Sequence, residues 1–192
     1  MKNLIYNYTV DNYKDLNKKL VNILDPIEIT IGKGITYKDD YDHCSSPILP
    51  NEWQLQESNW EKNVKKYPHI KYKKIFLDAV KNKLHDHAEF VTKRPYGFHY
   101  QFNILHMWYH QMIPYDNKII WHNHQKCQWS GIYFVEVPDN KYTEFFDLHT
   151  QEIFQPNVKE GDIIIFPSWM YHKAPEITDK HRTVIVWNMD IS

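Results

Sequence analysis

Two different spacings of apolar residues divide the chain. In DNYKDLNKKLVNIL, residues 11–24, Tyr13, Leu16, Leu20 and Ile23 recur at helical spacing. Asp11 is the predicted N-cap, and Pro26 lies beyond the end. A second stripe, Phe76, Val80, Leu84 and Ala88 in KIFLDAVKNKLHDHAEFV, predicts another helix. Between the two, residues 27–70 read as irregular structure with short strands, punctuated by Pro47, Pro50 and Pro68. From residue 97 the helical period disappears. FHYQFNILHMWYHQM, KIIWHNH, SGIYFVEV, YTEFFDL, GDIIIF and RTVIVWNM are short β-rich runs separated by turn-like breaks.

Helices followed by many strands predict a mainly β protein with flanking helices, built as an antiparallel sandwich or barrel. The 192 residues carry no internal repeat, low-complexity tract or Gly/Ser linker, so a single domain over 1–192 is expected. Within it, 1–96 is expected to supply helical support and short strands, and 97–192 the β core. Aromatic content of 16% offers wide apolar surfaces for a core or a pocket wall. Lys+Arg of 23 against Asp+Glu of 24 leaves no basic excess, which argues against a dedicated nucleic-acid binder. The local runs KNVKK and KYKK, near residues 62–74, read as a solvated face.

Among the 12 histidines, the pair in WHNHQ stands out. Residues two apart on a strand point to the same side, so His122 and His124 can reach one ion. In the run GDIIIFPSWMYHKAPE an apolar strand from Asp162 to Phe166 meets Pro167, and His172 follows at the start of a short connection. A third imidazole from a neighbouring strand completes a facial ligand set for Fe(II) or a similar metal. Other histidines fit this role less well. His85 and His87 are two apart on a predicted helix and diverge, while His106, Trp108 and His110 share one strand face and can line a cavity without touching metal. Glu144 and Asp147 are acids on a later strand, and either can supply a carboxylate if only one of His122 and His124 binds the ion.

Arg182 is the other unusual residue. The chain uses Lys for 21 of its 23 basic residues, yet has Arg in this β-rich segment. A guanidinium offers a planar fork that grips a carboxylate through two parallel hydrogen bonds.

The blocks His-x-His, SGIYF, FPSWMYH and Arg182, in this order over residues 108–188, resemble the Fe(II)/2-oxoglutarate-dependent oxygenase superfamily. They resemble in particular a branch of about 200 residues often met in phage and marine bacteria. The resemblance implies a double-stranded β-helix, a jelly-roll or cupin-like barrel with the metal at its open mouth. It implies Fe(II) held by His122, His124 and His172, with 2-oxoglutarate and O2 as co-substrates and Arg182 on the distal carboxylate. Hydroxylation of a small-molecule or peptide substrate is the implied reaction. Tyr133 and Trp187 are expected beside the cofactor, with Trp108 and Trp121 also shaping the pocket.

Three positions depart from the superfamily pattern. Position 124 is His where Asp or Glu is usual, position 134 is Phe where the branch has Tyr, and position 184 is Val where it has Ser. The last two remove hydroxyls that would help hold the far carboxylate, leaving more of that binding to Arg182. An all-imidazole set keeps the metal more positive and favours anionic ligands. It is also the ligand set of many cupins, and Gly161 through Pro167 to His172 resembles the second cupin motif. A three-His cupin-like enzyme that uses no keto acid is therefore the alternative reading, and a non-catalytic metal-binding module is a third.

Cys44 and Cys127 form no close-spaced framework, nothing at the N-terminus resembles a signal peptide, and no apolar run reaches membrane-spanning length. A cytoplasmic location is expected, that of the host if the protein is viral.

Overall fold

The computed structural model describes residues 1–25, 37–39, 71–93, 102–112, 120–178 and 182–192. Most of the irregular segment expected between the two helices lies outside the described residues. Among the described residues the fold is mostly β with two helices, α1 (Tyr13–Leu24) and α2 (Lys71–Thr92).

Among the described residues, six strands form the main sheet: β1 (Tyr6–Thr9), β2 (Tyr37–Asp39), β3 (Phe102–Met112), β4 (Trp129–Glu136), β7 (Asp162–Pro167) and β9 (Arg182–Ile191). They lie in the order β1-β7-β4-β9-β3-β2. A smaller sheet of β5 (Glu144–Asp147), β6 (Glu152–Phe154) and β8 (His172–Lys173) has the order β6-β5-β8. All pairings are antiparallel. Among the described residues the two sheets do not close into a barrel, which corrects that part of the expectation. Strands from the N-terminal half occupy both edges of the main sheet, so this half is built into the β core.

Both predicted helical stripes are buried, with small changes at the ends. In α2, Phe76, Val80, Leu84 and Ala88 are all fully buried. In α1 the buried stripe closes on Leu24 instead of Ile23, and the N-cap is Asn12, in a left-handed conformation, instead of Asp11. These faces pack on one side of the main sheet, against Met107, Tyr109, Tyr133, Ile163, Ile165, Ile185 and Trp187. The KYKK run is not wholly solvated. Lys73 is buried and donates from Nζ to the Met107 carbonyl at 2.5 Å. A second core lies on the other face of the main sheet, where Ile132, Phe134, Ile164, Phe166, Val184 and Val186 meet Phe145 of the small sheet. The main sheet is thus covered on both faces, which is why β7 reads as an unbroken apolar run, without alternation.

Gly131 shows how tight the helix-side core is. It lies opposite Trp187 in the β4–β9 register, and a Cβ there would sit 2.1 Å from the indole ring. Gly131→Ala is therefore expected to cost about 2–3 kcal/mol through overpacking, read as a lower urea midpoint.

His87 on α2 belongs to the same core. It is fully buried, its Nδ1 lies 2.9 Å from the Tyr8 hydroxyl, and Trp129 packs on it edge-on. Burial pulls its pKa from 6.5 down to about 4. The folded protein holds this ring neutral while the unfolded chain protonates it near 6.5, so stability falls as pH drops from there toward 4. At pH 5 the loss from this one group is on the order of 1–2 kcal/mol. His87→Leu should flatten the fall in Tm between pH 7 and 5, whatever its effect at pH 7.

Candidate metal centre and anion pocket

The site lies between the two sheets and is built from three segments. After Pro167 the chain makes a turn, with the Met170 amide donating to the Pro167 carbonyl at 3.0 Å, and then enters β8 at His172. β8 pairs with β5, placing His172 opposite Phe145. The WHNHQ segment runs beside this turn. His122 and His172 exchange backbone hydrogen bonds at 3.0 and 2.9 Å, and the His124 amide donates to the Ser168 carbonyl at 2.9 Å. Among the described residues the expected strand at 118–124 is reduced to this single bridge, made with His172 at the start of β8. The two imidazoles still converge.

The nitrogens that His122, His124 and His172 can offer lie within 4.8 Å of one another, and ring centroids are 4.3–5.2 Å apart. A divalent ion with N–metal bonds of about 2.1 Å needs only a modest inward closing of these rings. The tautomers suit such a role. The Nδ1 atoms of His122 and His172 lie 2.9 and 3.0 Å from the carbonyls of Ile120 and Met170, so each ring donates there and directs the Nε2 lone pair inward. His124 stacks on Trp108, hydrogen-bonds Asn188, and leaves a buried Nε2 with no partner among the described residues. Burial lowers the pKa of all three, His172 to about 3 and His124 to about 4; His122 further depresses His124, and both further depress His172. At neutral pH they are unprotonated, the form that binds metal.

Glu144 and Asp147 stay outside the cluster. Glu144 pairs with Lys173 at 3.0 Å, and Asp147 takes the Met1 ammonium at 2.8 Å and the His149 amide at 2.9 Å.

Arg182 opens β9 and is almost wholly buried. Its Nε donates to the Lys141 carbonyl at 3.0 Å and its Nη2 to Thr143 Oγ1 at 3.1 Å. No carboxylate pairs with it among the described residues. Burial lowers its pKa to about 10, so it remains charged at pH 7. Arg182, Thr143, Trp108 and the three histidines line one narrow cavity of about 40 Å³. A wider cleft of about 530 Å³ opens beyond His122 and His124, lined by His106, His110, Asn123, Gln125, Lys126 and Asn188 among others.

A β-bulge sets up these walls. The β3–β9 register slips between Ile104 and His106. Before it, Phe102 and Ile104 pack with the helix-side core; after it, Met107 and Tyr109 do so. His106, Trp108 and His110 are thereby turned toward the cavities.

Tyr133 and Trp187 are not beside the site, which corrects the expectation. Both lie on the helix face of the main sheet, where Tyr133 donates to Asn17 Oδ1 at 2.5 Å and Phe76 packs on both rings. Alternation along β4 and β9 gives the cavity wall to Ile132, Val184 and Val186 instead. Trp121 packs against Phe146 and under the Lys173 ammonium.

Sequence reasoning also missed the supporting residues. Ser168 accepts from His124, donates its amide to the Gln128 carbonyl at 3.0 Å and its hydroxyl to the Cys127 carbonyl, clamping the histidine loop. Ser130 donates to Asn188 Oδ1 at 2.9 Å and steadies the partner of His124. The Ser of FPS and of SG was the available signal.

No family model matches the chain, and no curated protein matches it. Among solved structures, it is similar to AviO1 from Streptomyces viridochromogenes Tue57, with a TM-score of 0.59 at 11% identity over 96% of this chain and 88% of that one. A match to an oxidoreductase of the 2OG-Fe(II) oxygenase family from Burkholderia pseudomallei has a TM-score of 0.42 at 15% identity. It covers 70% of this chain and 58% of that chain's length. At these identities the likeness to AviO1 is one of fold. Among the described residues, no helix is long and apolar enough to cross a membrane.

Proposed function

We propose that the protein is an Fe(II)/2-oxoglutarate-dependent oxygenase with a double-stranded β-helix core, hydroxylating a small polar substrate or a peptide. The carrying observation is one cavity that joins three inward-directed, neutral imidazoles to a buried guanidinium with no carboxylate partner among the described residues. His122, His124 and His172 would hold the metal on one face. Arg182 would hold the distal carboxylate of the keto acid, an anion that compensates its buried charge. When bound, the iron and keto acid supply a two-electron oxidant from O2. The chain's own part is positioning: Ile120, Met170 and Asn188 fix the ring orientations, and Trp108 with Val184 and Val186 walls the cavity against water.

The substrate would enter by the wider cleft. Among the described residues its lining includes amides, imidazoles and one ammonium and has no carboxylate, so it suits neutral or anionic polar molecules and disfavours amines. The all-histidine ligand set favours a second reading, a cupin-like metal enzyme in which Arg182 grips the substrate itself. Anaerobic addition of 2-oxoglutarate to the Fe(II)-loaded protein separates the two. A visible charge-transfer band supports the oxygenase; stoichiometric iron without the band favours the second reading.

A further inference from the structure

Asn188 and His106 are cross-strand partners in the β3–β9 register, set opposite each other by the bulge at 104–106. Both line the wide cleft, and neither lines the narrow cavity that holds Arg182. Asn188 is only 7% exposed, and its Oδ1 accepts from Ser130 Oγ at 2.9 Å. His124 hydrogen-bonds the same side chain, and since its Nε2 has no partner among the described residues, the contact is made through Nδ1. With Nε2 kept for a metal, that Nδ1 carries the proton and donates to Oδ1. The oxygen is thus taken twice, which fixes the amide in one orientation. Its Nδ2 carries two N–H donors, and among the described residues no acceptor takes either. His106 likewise has no hydrogen-bond partner among the described residues.

We propose that Asn188 is a specificity-determining residue that receives a planar oxygen of the primary substrate, an amide carbonyl or a carboxylate, with His106 completing the contact. This rests on the wide cleft being the substrate's entrance and deepens that reading by naming the group the cleft selects. A buried donor left without an acceptor is costly, and an oxygen arriving from the cleft satisfies it. Burial and the nearby Lys73 ammonium lower the pKa of His106, so the ring is neutral at pH 7 and offers one N–H and one lone pair. Lys73 and the exposed Lys126 make the surroundings positive, and the described lining holds no carboxylate. That balance favours an oxygen over an ammonium. Because Asn188 also touches His124, a group held there lies next to the metal ligands.

The test needs no turnover. The full chain is loaded with Zn(II), a diamagnetic ion that imidazoles bind well, and the side-chain amide protons of Asn188 are followed by NMR. N-acetylalanine methylamide, acetate and propylammonium are titrated in separately. The amide, the acetate or both should shift these protons saturably, and the tighter of the two identifies the source of the oxygen. Propylammonium should leave them in place. Asn188→Asp keeps acceptors for Ser130 and His124 and removes the donor. Followed on neighbouring amides, it should bind the oxygen probes about tenfold more weakly or worse, and should take propylammonium instead. His106→Phe should weaken the oxygen probes about fivefold, with the Asn188 protons still present to report it. Asn188 protons that no oxygen probe moves, or oxygen probes bound equally by Asn188→Asp and wild type, overturn the proposal. An unchanged affinity in His106→Phe removes His106 from it. If Asn188→Asp does not fold, the wild-type shifts and His106→Phe decide the matter. A chain that takes up no zinc contradicts the metal centre and not this inference, which the same titration of the metal-free protein then decides.

Discussion

His172→Ala should lose stoichiometric Fe(II) binding while keeping the fold. His172 is 4% exposed, it bridges to His122 through backbone atoms that alanine retains, and its ring lies at the centre of the triad. Removing a supporting hydrogen-bond partner of a metal ligand commonly costs 10–100-fold in affinity, so loss of a ligand itself should cost about 100-fold or more. The stability cost should be smaller, about 1–2 kcal/mol, from a lost hydrogen bond to Met170 and a small void beside Phe145 and Phe166. Equilibrium dialysis with Fe(II) and a urea melt of the same sample check both halves. Retained iron at wild-type affinity would remove His172 from the ligand set.

Arg182→Met should separate binding from stability. A buried cation that lacks a carboxylate partner among the described residues is a weak contributor to the apo fold, and replacing such charges by apolar side chains is often neutral or stabilising. Methionine follows much of the arginine stem, at the cost of leaving the Lys141 carbonyl and Thr143 without their donor. The melt should therefore stay within about 1–2 kcal/mol of wild type. The 2-oxoglutarate charge-transfer band should disappear at concentrations that saturate the wild type, with Fe(II) affinity unchanged. A band of wild-type intensity in this variant would show that the keto acid, if bound, is anchored elsewhere.

Some of this site was legible in the chain and some was not, for physical reasons. The spacing of His122, His124 and His172 was readable because few donors fall in so short a pattern, and Arg182 stood out against a lysine-rich background. The wall residues were harder. The middles of SGIYFVEV and RTVIVWNM, IYFV and VIVW, are apolar without a break because the sheet is covered on both faces, so alternation could not say that Tyr133 and Trp187 face the helices. Ile132, Val184 and Val186 face the cavity instead. The bulge at 104–106, which turns His106, Trp108 and His110 toward the cavity, depends on pairing with β9 and leaves no local mark. Thr143 and Ser168 act through hydrogen bonds to distant segments, which a single threonine or serine does not announce. The helices were the clearest part, since a one-sided stripe such as Phe76, Val80, Leu84 and Ala88 has only one way to be buried.

The most direct measurement is X-ray absorption at the iron edge of the anaerobic Fe(II)-loaded protein, taken with a metal titration. One ion per chain, with scattering from three imidazoles at about 2.1 Å, is the expected result. A protein that takes up no iron under reducing conditions, or an iron shell with fewer than three imidazoles, would contradict the account.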